Sequence, residues 1–323
     1  MQMVILDAGT FYFEDESPWA PLHEFGDVFI HEHTPHDDSA LIAERCAGAE
    51  VVLTNKVPMS ADTLAQLPGL KLIGVLATGY NIIDVAAAKA QGVTVCNGPS
   101  YSTQSVAQHT LALMLELCNH VGLHSQSVHA GDWVNCEEFC YWQKPLVQLT
   151  EATVGFIGWG EIGGRVGELV HALGANVIAH TRSRQGAPNW ETGFTWADLD
   201  EVFAQSDIVT LHCPQTPDNT GFVNRNRLAL MKNTAFLINT ARGGLVDEAA
   251  LAEALQHGEI AGAALDVVSQ EPMTADNPLL GAPNCFITPH VAWSSWPARQ
   301  ALLDITLANI RAFLAGRPQN VVN

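Results

Sequence analysis

The chain has 323 residues, of which 47% are hydrophobic and 15% charged, and this is enough apolar material for the cores of two domains. Its formal net charge of −19 argues against nucleic acid and anionic membrane surfaces as partners, because their phosphates would be repelled. No uninterrupted apolar run reaches membrane-spanning length, the N-terminus lacks the basic start of a signal peptide, and the seven cysteines form no C-x-x-C pair, so we expect a cytoplasmic protein with reduced thiols.

The first part of the chain, residues 1 to about 99, alternates apolar runs with helical patterns. Strands are predicted at 4–7, 28–30, 51–53 and 70–75, and helices at 39–46 and 83–90. This alternation predicts a parallel sheet. The His-rich stretch 31–38 is interpreted as a solvated loop and not a metal site, because Pro35 breaks its spacing. Asp38 or Ser39 is expected to be the N-cap of the helix that follows.

A loop follows the apolar strand at 70–75. Ligands of open α/β sheets bind beyond the carboxyl ends of the strands, and successive backbone N–H groups in such a turn can hold an anion. We therefore interpret Ala77, Thr78 and Gly79 as a carboxylate-binding loop. An ordinary connection between a strand and a helix is the alternative that this stretch leaves open.

A second domain is expected from about residue 100, after the turn Asn97-Gly98-Pro99. The helix predicted at 104–118 is apolar nearly all round, which indicates burial in a core or at a subunit interface. Residues 119–149 are rich in His, Trp and Tyr and are expected to be irregular. A dimer arm and an active-site cover are both open interpretations of this segment.

A strand–turn–helix–strand unit at 153–180 organises the second domain. The apolar run 153–157 is followed at once by G-x-G-x-x-G, then by a helical pattern at 164–173 and a strand at 176–180. In such a unit Gly158 permits the tight turn, Gly160 lets the backbone approach a pyrophosphate, and Gly163 lets the helix pack near the strand. Free N–H groups at the helix start favour phosphate, so the unit predicts a dinucleotide site.

The residues after the second strand of this unit indicate which dinucleotide binds. NAD enzymes usually carry an Asp or Glu about 20 residues farther along, where it binds the ribose 2′-OH. This chain has Thr181, Arg182, Ser183 and Arg184 there, with hydroxyls that donate hydrogen bonds and guanidinium groups that pair with a 2′-phosphate. We therefore favour NADP(H) over NAD(H), with use of either cofactor as the open alternative.

Four polar residues follow strand ends in the rest of this domain: Arg242, Asp266, Glu271 and His290. The carboxyl ends of parallel strands line one crevice. Hydride transfer to a 2-keto acid needs a cation for the substrate carboxylate, a proton donor for the carbonyl oxygen, and a carboxylate that orients the donor. Arg242, His290 and Glu271 fit these roles in that order.

With these residues in place, the chain resembles the D-isomer-specific 2-hydroxyacid dehydrogenases. The matching stretches follow the family order along nearly the whole chain, at 77–84, 158–163, 211–214, 239–247, 264–267, 271–272 and 288–290. The resemblance implies two doubly wound parallel-sheet α/β domains, a flavodoxin-like substrate domain at 1–99 plus 291–323 and an inserted Rossmann cofactor domain at 100–290. It also implies a homodimer.

Residue by residue, the resemblance makes Arg242, Glu271 and His290 the catalytic trio, and no metal is expected. The small 2-keto or 2-hydroxy acid substrate is expected to bind Arg242, His290 and the loop of Ala77, Thr78 and Gly79. Asp266 is expected to meet the nicotinamide amide. The other cofactor contacts are expected to be Gly158, Gly160, Glu161, Ile162, Gly163, Thr181, Arg182, Ser183, Cys213, Pro214, Thr240, Ala241 and Val106.

The run 98–103 and the Trp-rich segment 133–142 resemble the glycerate dehydrogenase, or hydroxypyruvate reductase, branch of the family. Reduction of hydroxypyruvate and glyoxylate to D-glycerate and glycolate is therefore the expected activity. The alternatives are a D-lactate-type or other 2-keto acid reductase, and an NAD(H)-sensing, corepressor-like regulator. Formate dehydrogenases of the family carry Gln where this chain has Glu271, which counts against activity on formate. Thr181-Arg182 departs from the ribose-binding Asp of many members and puts strict NAD use in doubt.

Overall fold

The computed structural model describes residues 1–11 and 18–323. These residues form two compact units: Met1–Ser102 together with Trp296–Asn323 make unit 1, and Thr103–Ser295 makes unit 2. Unit 2 is therefore inserted into the chain of unit 1. Within the described ranges, each helix is too short or too polar to span a lipid bilayer.

Several of the helices begin at polar caps that the sequence supplies. In chain order they are α1 (Ser39–Arg45), α2 (Ala61–Ala65), α3 (Val85–Ala90), α4 (Thr103–Asn119), α5 (Val121–His129), α6 (Glu161–Ala172), α7 (Leu199–Gln205), α8 (Arg225–Leu228), α9 (Glu248–Gln256) and α10 (Trp296–Leu314). Asp38 accepts a hydrogen bond from the Leu41 amide at 2.9 Å, which confirms Asp38 as the N-cap of α1. Ser60 caps α2 in the same way, and this helix is too short for its sequence pattern to predict it.

A five-stranded parallel sheet forms the centre of unit 1. Its strands are β1 (Gln2–Ile5), β2 (Asp27–Ile30), β3 (Val51–Thr54), β4 (Leu72–Val75) and β5 (Thr94–Cys96). They lie in the order β2-β1-β3-β4-β5, which is the flavodoxin-like order. Every residue of β3 and β4 is buried, and all but Thr54 are apolar or glycine, as expected of a parallel sheet covered on both faces.

The end of the chain completes unit 1. A Cβ on Gly98 would lie 2.3 Å from Cδ1 of Leu302, so a larger residue there would displace the Leu302 side chain of α10. Asn309 of α10 donates from Nδ2 to the carbonyl of Asn97 at 3.0 Å. The amide of Val322 donates to the carbonyl of Val95, the middle residue of β5, at 2.9 Å.

A seven-stranded parallel sheet forms the centre of unit 2. Its strands are β6 (Thr153–Ile157), β7 (Asn176–His180), β8 (Phe194–Trp196), β9 (Ile208–Leu211), β10 (Phe236–Asn239), β11 (Gly262–Leu265) and β12 (Cys285–Ile287). The order is β12-β11-β10-β9-β6-β7-β8. Counted from β6, this is the Rossmann order with one further strand at the β12 edge. Two parallel-sheet α/β units confirm the predicted fold class.

The prediction that residues 119–149 are irregular was wrong in its first part, because Val121–His129 forms α5. Both carboxylate oxygens of Glu116 accept from the amide of Gly122, at 3.1 and 3.2 Å, and so stabilise the start of α5. His120 is buried and left-handed, with φ of 49°, and makes the turn between α4 and α5. This helix depends on a side chain of the preceding one and not on an apolar stripe, so periodicity does not reveal it.

Candidate active site

Three adjacent strands of unit 2 bring predicted site residues to one edge of the sheet. The ends of β10, β11 and β12 are in register, with Asn239 paired to Leu265 and Leu265 paired to Ile287. Neighbouring strands lie about 4.8 Å apart. Arg242, Asp266 and His290 each follow one of these strands within three residues. The prediction that they share a strand-end edge therefore agrees with the topology.

His290 and Glu271 form a hydrogen-bonded pair. Nδ1 of His290 lies 2.6 Å from Oε2 of Glu271, and their side chains are 24% and 32% exposed. An ionised carboxylate only accepts, so the proton of this bond belongs to Nδ1. Nε2 is then the ring nitrogen that can exchange a proton with another molecule.

The backbone at His290 is held in an uncommon conformation by Asp266. His290 has φ of 55°, a left-handed conformation that costs a non-glycine residue about 1–2 kcal/mol. Its amide donates to the Asp266 carbonyl at 2.8 Å. The amides of Val291 and Ala292 donate to the Asp266 carboxylate, to Oδ1 and Oδ2 respectively, each at 2.9 Å. Asp266, which is 1% exposed, thus anchors three successive amides. Its contact with the nicotinamide amide stays a prediction.

Arg242 offers an uncompensated positive charge. One guanidinium nitrogen donates to the carbonyl of Ala241 at 2.7 Å, and no carboxylate in the described part of the chain pairs with this half-buried side chain. Asn239, at the end of β10, shapes the turn: its Nδ2 donates to the Arg242 carbonyl at 2.8 Å, and its Oδ1 accepts from the Ala241 amide at 3.0 Å. The remaining donors of Arg242 suit a bidentate bond to a carboxylate.

The glycine loop has the geometry that a dinucleotide phosphate needs. Gly158 has φ of 98°, and a Cβ there would lie 2.6 Å from the Cys213 amide nitrogen. A Cβ on Gly163 would lie 2.4 Å from the carbonyl oxygen of Gly158, whereas a Cβ on Gly160 would meet no atom of the described chain within 4 Å. Gly160, the N-cap of α6, has no side chain that could accept from the first-turn amides of exposed Glu161 and half-buried Ile162. The open space and the amides fit a pyrophosphate.

The turn after β7 carries the residues predicted to select the cofactor. Thr181 is half-buried, whereas Arg182 and Ser183 are exposed. Arg184 forms an ion pair with Asp198. Arg182 has no ion pair with any residue in the described ranges, so its charge is available to a ligand.

Trp159, inside the glycine motif, was not predicted to matter. Its Nε1 donates to the carbonyl of Gly186 at 2.8 Å, and this hydrogen bond stabilises the turn that carries Arg182. Its ring packs on Phe194 with centroids 4.9 Å apart. The aromatic residues that follow at 190, 194 and 196 were the available sequence signal for this packing.

The remaining predicted cofactor contacts all lie in unit 2, and their roles stay predictions. Val106 on α4 is 6% exposed, and Thr240 is buried with its Oγ1 2.9 Å from Thr110 Oγ1. Ala241 and Cys213 are half-buried, and Pro214 is exposed. Burial raises the pKa of the Cys213 thiol, so that side chain is neutral at pH 7.

The loop of unit 1 that is predicted to bind a carboxylate is held in place by two hydrogen bonds. Thr78 Oγ1 donates to the Gly98 carbonyl at 2.8 Å, and Asn97 Nδ2 donates to the Thr78 carbonyl at 2.7 Å. The amides of Ala77, Thr78 and Gly79 have no hydrogen-bond acceptor within residues 1–11 and 18–323. Three successive unused amides on a fixed loop are suited to an anion.

His212, directly after β9, is kept neutral by burial. Its ring stacks on Phe156 with centroids 5.7 Å apart, and Nε2 lies 3.0 Å from Thr210 Oγ1. Burial lowers the pKa of His212 from 6.5 to about 3. The unfolded chain therefore binds a proton at higher pH than the folded chain. The stability that depends on neutral His212 is complete above pH 6.5 and is lost as the pH falls towards 3.

His212→Gln is expected to reduce the acid sensitivity of folding. Between pH 7 and pH 4, the free energy of unfolding of the wild type should fall by about 3 kcal/mol more than that of the variant. Urea denaturation at the two pH values measures this difference. The exposed His257→Gln serves as the control and should keep the wild-type dependence. An equal loss in His212→Gln would contradict the assignment.

Comparisons with known proteins agree with this geometry. The sequence profile described as "D-isomer specific 2-hydroxyacid dehydrogenase, NAD binding domain" matches residues 111–292. The chain is 42% identical over 323 residues to a hydroxypyruvate reductase of Blautia hydrogenotrophica, with 100% of both proteins covered. It is 45% identical over 316 residues to a glycerate dehydrogenase of Methylorubrum extorquens, with 96% of this chain and 98% of that protein covered.

A solved structure shares the fold. The NADPH-dependent glyoxylate/hydroxypyruvate reductase of Sinorhizobium meliloti, in complex with NADP and malonate, superposes with a TM-score of 0.83 at 29% identity. The match covers 99% of this chain and 96% of that one. Together these findings confirm the predicted enzyme class, an oxidoreductase of 2-hydroxy acids with a nicotinamide cofactor. The chain belongs to the D-isomer specific 2-hydroxyacid dehydrogenase family.

Proposed function

We propose that this protein reduces hydroxypyruvate to D-glycerate and glyoxylate to glycolate, with NADPH preferred over NADH. The observation that carries the proposal is the His290–Glu271 pair, joined at 2.6 Å on the strand-end edge that also holds Arg242. The relatives named hydroxypyruvate reductase and glycerate dehydrogenase support the choice of substrate. We further propose that unit 1 is the substrate domain and unit 2 the cofactor domain.

Each site residue has one task in the proposed reaction. The glycine loop and the first turn of α6 hold the nicotinamide cofactor, which when bound supplies the hydride. Arg242 binds the substrate carboxylate through its unused guanidinium donors. In unit 1, the unused amides of Ala77 to Gly79 are suited to a substrate carboxylate as well. His290 donates its Nε2 proton to the C2 carbonyl oxygen as negative charge develops there. Glu271 fixes the orientation and the tautomer of the imidazole.

The first experiment follows the loss of nicotinamide absorbance with hydroxypyruvate, in parallel reactions with NADPH and NADH. We expect fast oxidation of NADPH and slower oxidation of NADH. A preference for NADH would retain the reductase and overturn the cofactor assignment. Activity with pyruvate alone would favour a D-lactate-type enzyme. Inactivity with hydroxypyruvate, glyoxylate, pyruvate and longer keto acids would favour an NAD(H)-sensing regulator.

Arg182→Ala is expected to weaken NADPH binding by roughly 10- to 100-fold and to leave NADH binding within about twofold of wild type. The reason is that a 2′-phosphate is present only on NADPH, and Arg182 is the cation of the turn that has no ion pair within residues 1–11 and 18–323. Fluorescence titration with each dinucleotide measures both constants. The exposed Arg225→Ala removes the same charge elsewhere in unit 2 and controls for net charge. Equal losses for NADPH and NADH would contradict recognition of the 2′-phosphate.

We also propose that the protein is a cytoplasmic homodimer. The segment after α5 exposes apolar side chains, with Val134 86%, Phe139 85% and Trp142 69% exposed. Exposed apolar side chains so close together in the sequence indicate a protein interface. Light scattering should give twice the chain mass of 34.8 kDa, and Val134→Asp with Phe139→Asp should give the single mass. If the wild type is a monomer, the remaining interpretation of this segment is an active-site cover.

The proposed cytoplasmic location is supported by the cysteines, because seven free thiols suit a reducing compartment.

A further inference from the structure

His109 on α4 lies beside the turn that carries His290 and has no role in the proposed reaction so far. Its Nε2 is 3.0 Å from Thr288 Oγ1 and 3.5 Å from Asp266 Oδ1. The imidazole is 24% exposed. A polar ring this close to a buried carboxylate contributes to the electrostatics of that carboxylate.

The hydrogen bonds of Thr288 determine which ring nitrogen of His109 carries a proton. Oγ1 of Thr288 donates to Oδ1 of Asp266 at 2.6 Å. A hydroxyl has a single proton, so Thr288 must accept in its bond with His109, and His109 must carry a proton on Nε2. The donors therefore run in one direction, from His109 to Thr288 to Asp266. Asp266 is 1% exposed and has no ion pair with a lysine or arginine in the described ranges, so its carboxylate depends on hydrogen bonds from Thr288 and from the amides of Val291 and Ala292.

A second residue of α4 holds the same turn. Ser105 Oγ donates to the Ala292 carbonyl at 2.6 Å and accepts from the Ser295 amide at 3.3 Å. Ser105 and His109 are four residues apart and so lie on one face of the helix. One end of the His290 turn is therefore held through Ser105. The other end of the turn is held through Asp266, whose carboxylate accepts from Thr288, which in turn accepts from His109.

We propose that His109 is a positioning residue, which places His290 through Thr288 and Asp266. The left-handed backbone at His290 is strained, so it persists only while the amides of residues 290–292 remain bonded to Asp266. Without the proton from His109, Thr288 and Asp266 are free to rearrange, and the imidazole of His290 shifts relative to Glu271 and the substrate. This inference rests on the proposed role of His290 as the proton donor.

His109→Leu, which keeps volume but removes the donor, is expected to lower kcat by about 10- to 100-fold, because small displacements of a catalytic group have effects of this size. NADPH affinity should stay within about twofold of wild type, since the glycine loop is untouched. His109→Gln keeps an N–H donor and should recover kcat to within about fivefold of wild type. Gln108→Leu, at an exposed neighbouring position of α4, is the control for the helix and should keep wild-type kcat.

A double-mutant cycle with Thr288→Val tests the route of the effect. If His109 acts through Thr288, His109→Leu with Thr288→Val should lower kcat no further than the more severe single variant. Additive losses, or a His109→Leu variant with wild-type kcat, would overturn the inference. Parallel losses of kcat and NADPH affinity would also overturn it, since they indicate general destabilisation. Three outcomes separate the proposals. Wild-type inactivity with every keto acid overturns the proposed function, and full turnover in His290→Ala overturns the proton-donor role on which this inference rests. Loss of turnover in His290→Ala but not in His109→Leu overturns only the role of His109.

Discussion

His290→Ala is expected to lower kcat with hydroxypyruvate by about 10²- to 10⁴-fold, the usual contribution of a general acid. The affinity for NADPH should stay within about twofold of wild type, because the imidazole is bonded to Glu271 and not to the glycine loop. The loss arises because the developing negative charge on the substrate oxygen is no longer met by a proton. Steady-state kinetics and a separate fluorescence titration with NADPH distinguish turnover from binding.

Two further variants sharpen this result. Glu271→Gln keeps a hydrogen-bond acceptor for Nδ1 but replaces a charge-assisted hydrogen bond with a weaker neutral one, so the imidazole is held less firmly and kcat should fall. His257→Ala removes an exposed histidine of the same unit and should leave kcat unchanged. A His290→Ala protein with wild-type kcat would refute the proton-donor role, whatever its cofactor affinity.

Three glycines within five residues are expected to respond differently to alanine. Gly160→Ala should fold normally, since its Cβ meets no atom of the described chain within 4 Å, but should bind NADPH at least about tenfold more weakly, because the methyl group occupies the path of the pyrophosphate. Gly163→Ala should both unfold more easily and bind weakly, because its Cβ would lie 2.4 Å from the Gly158 carbonyl oxygen.

Gly164→Ala is the matched control for this series. Its Cβ also meets no atom of the described chain within 4 Å, and it lies inside α6, where alanine stabilises a helix by up to about 1 kcal/mol relative to glycine. Thermal unfolding without ligand and titration with NADPH should therefore place Gly160→Ala, Gly163→Ala and Gly164→Ala in three separate classes. Unchanged NADPH affinity in Gly160→Ala would contradict the proposal that this loop binds the pyrophosphate.

Much of this architecture could be predicted because the informative residues lie close together in the sequence. The glycine motif, the apolar run before it and the helix after it form one local unit, so each supports the interpretation of the others. Arg242, Asp266 and His290 could be assigned to one edge for a similar reason: each follows an apolar strand, and parallel strands end together.

The parts that were missed depend on contacts between distant residues. Helix α5 needs Glu116 of the preceding helix, and the turn after β7 needs the indole of Trp159. His109 is one polar residue on an apolar helix, and nothing local shows that Thr288, 179 residues later, lies against it. Short elements such as β8 and α7 also escaped prediction, because three to seven residues carry too little periodicity.

The insertion of unit 2 into unit 1 has a consequence for the order in which the protein folds during synthesis. All of Thr103–Ser295 has been polymerised before α10 is made, so unit 2 can fold while unit 1 still lacks its last helix. At about 5–20 residues per second, unit 1 waits several seconds more for the segment that bonds Asn309 to Asn97 and Val322 to Val95. During this interval β4 and Gly98 lack the side chains of α10 that cover them, and apolar surface left exposed in this way favours aggregation of the nascent chain.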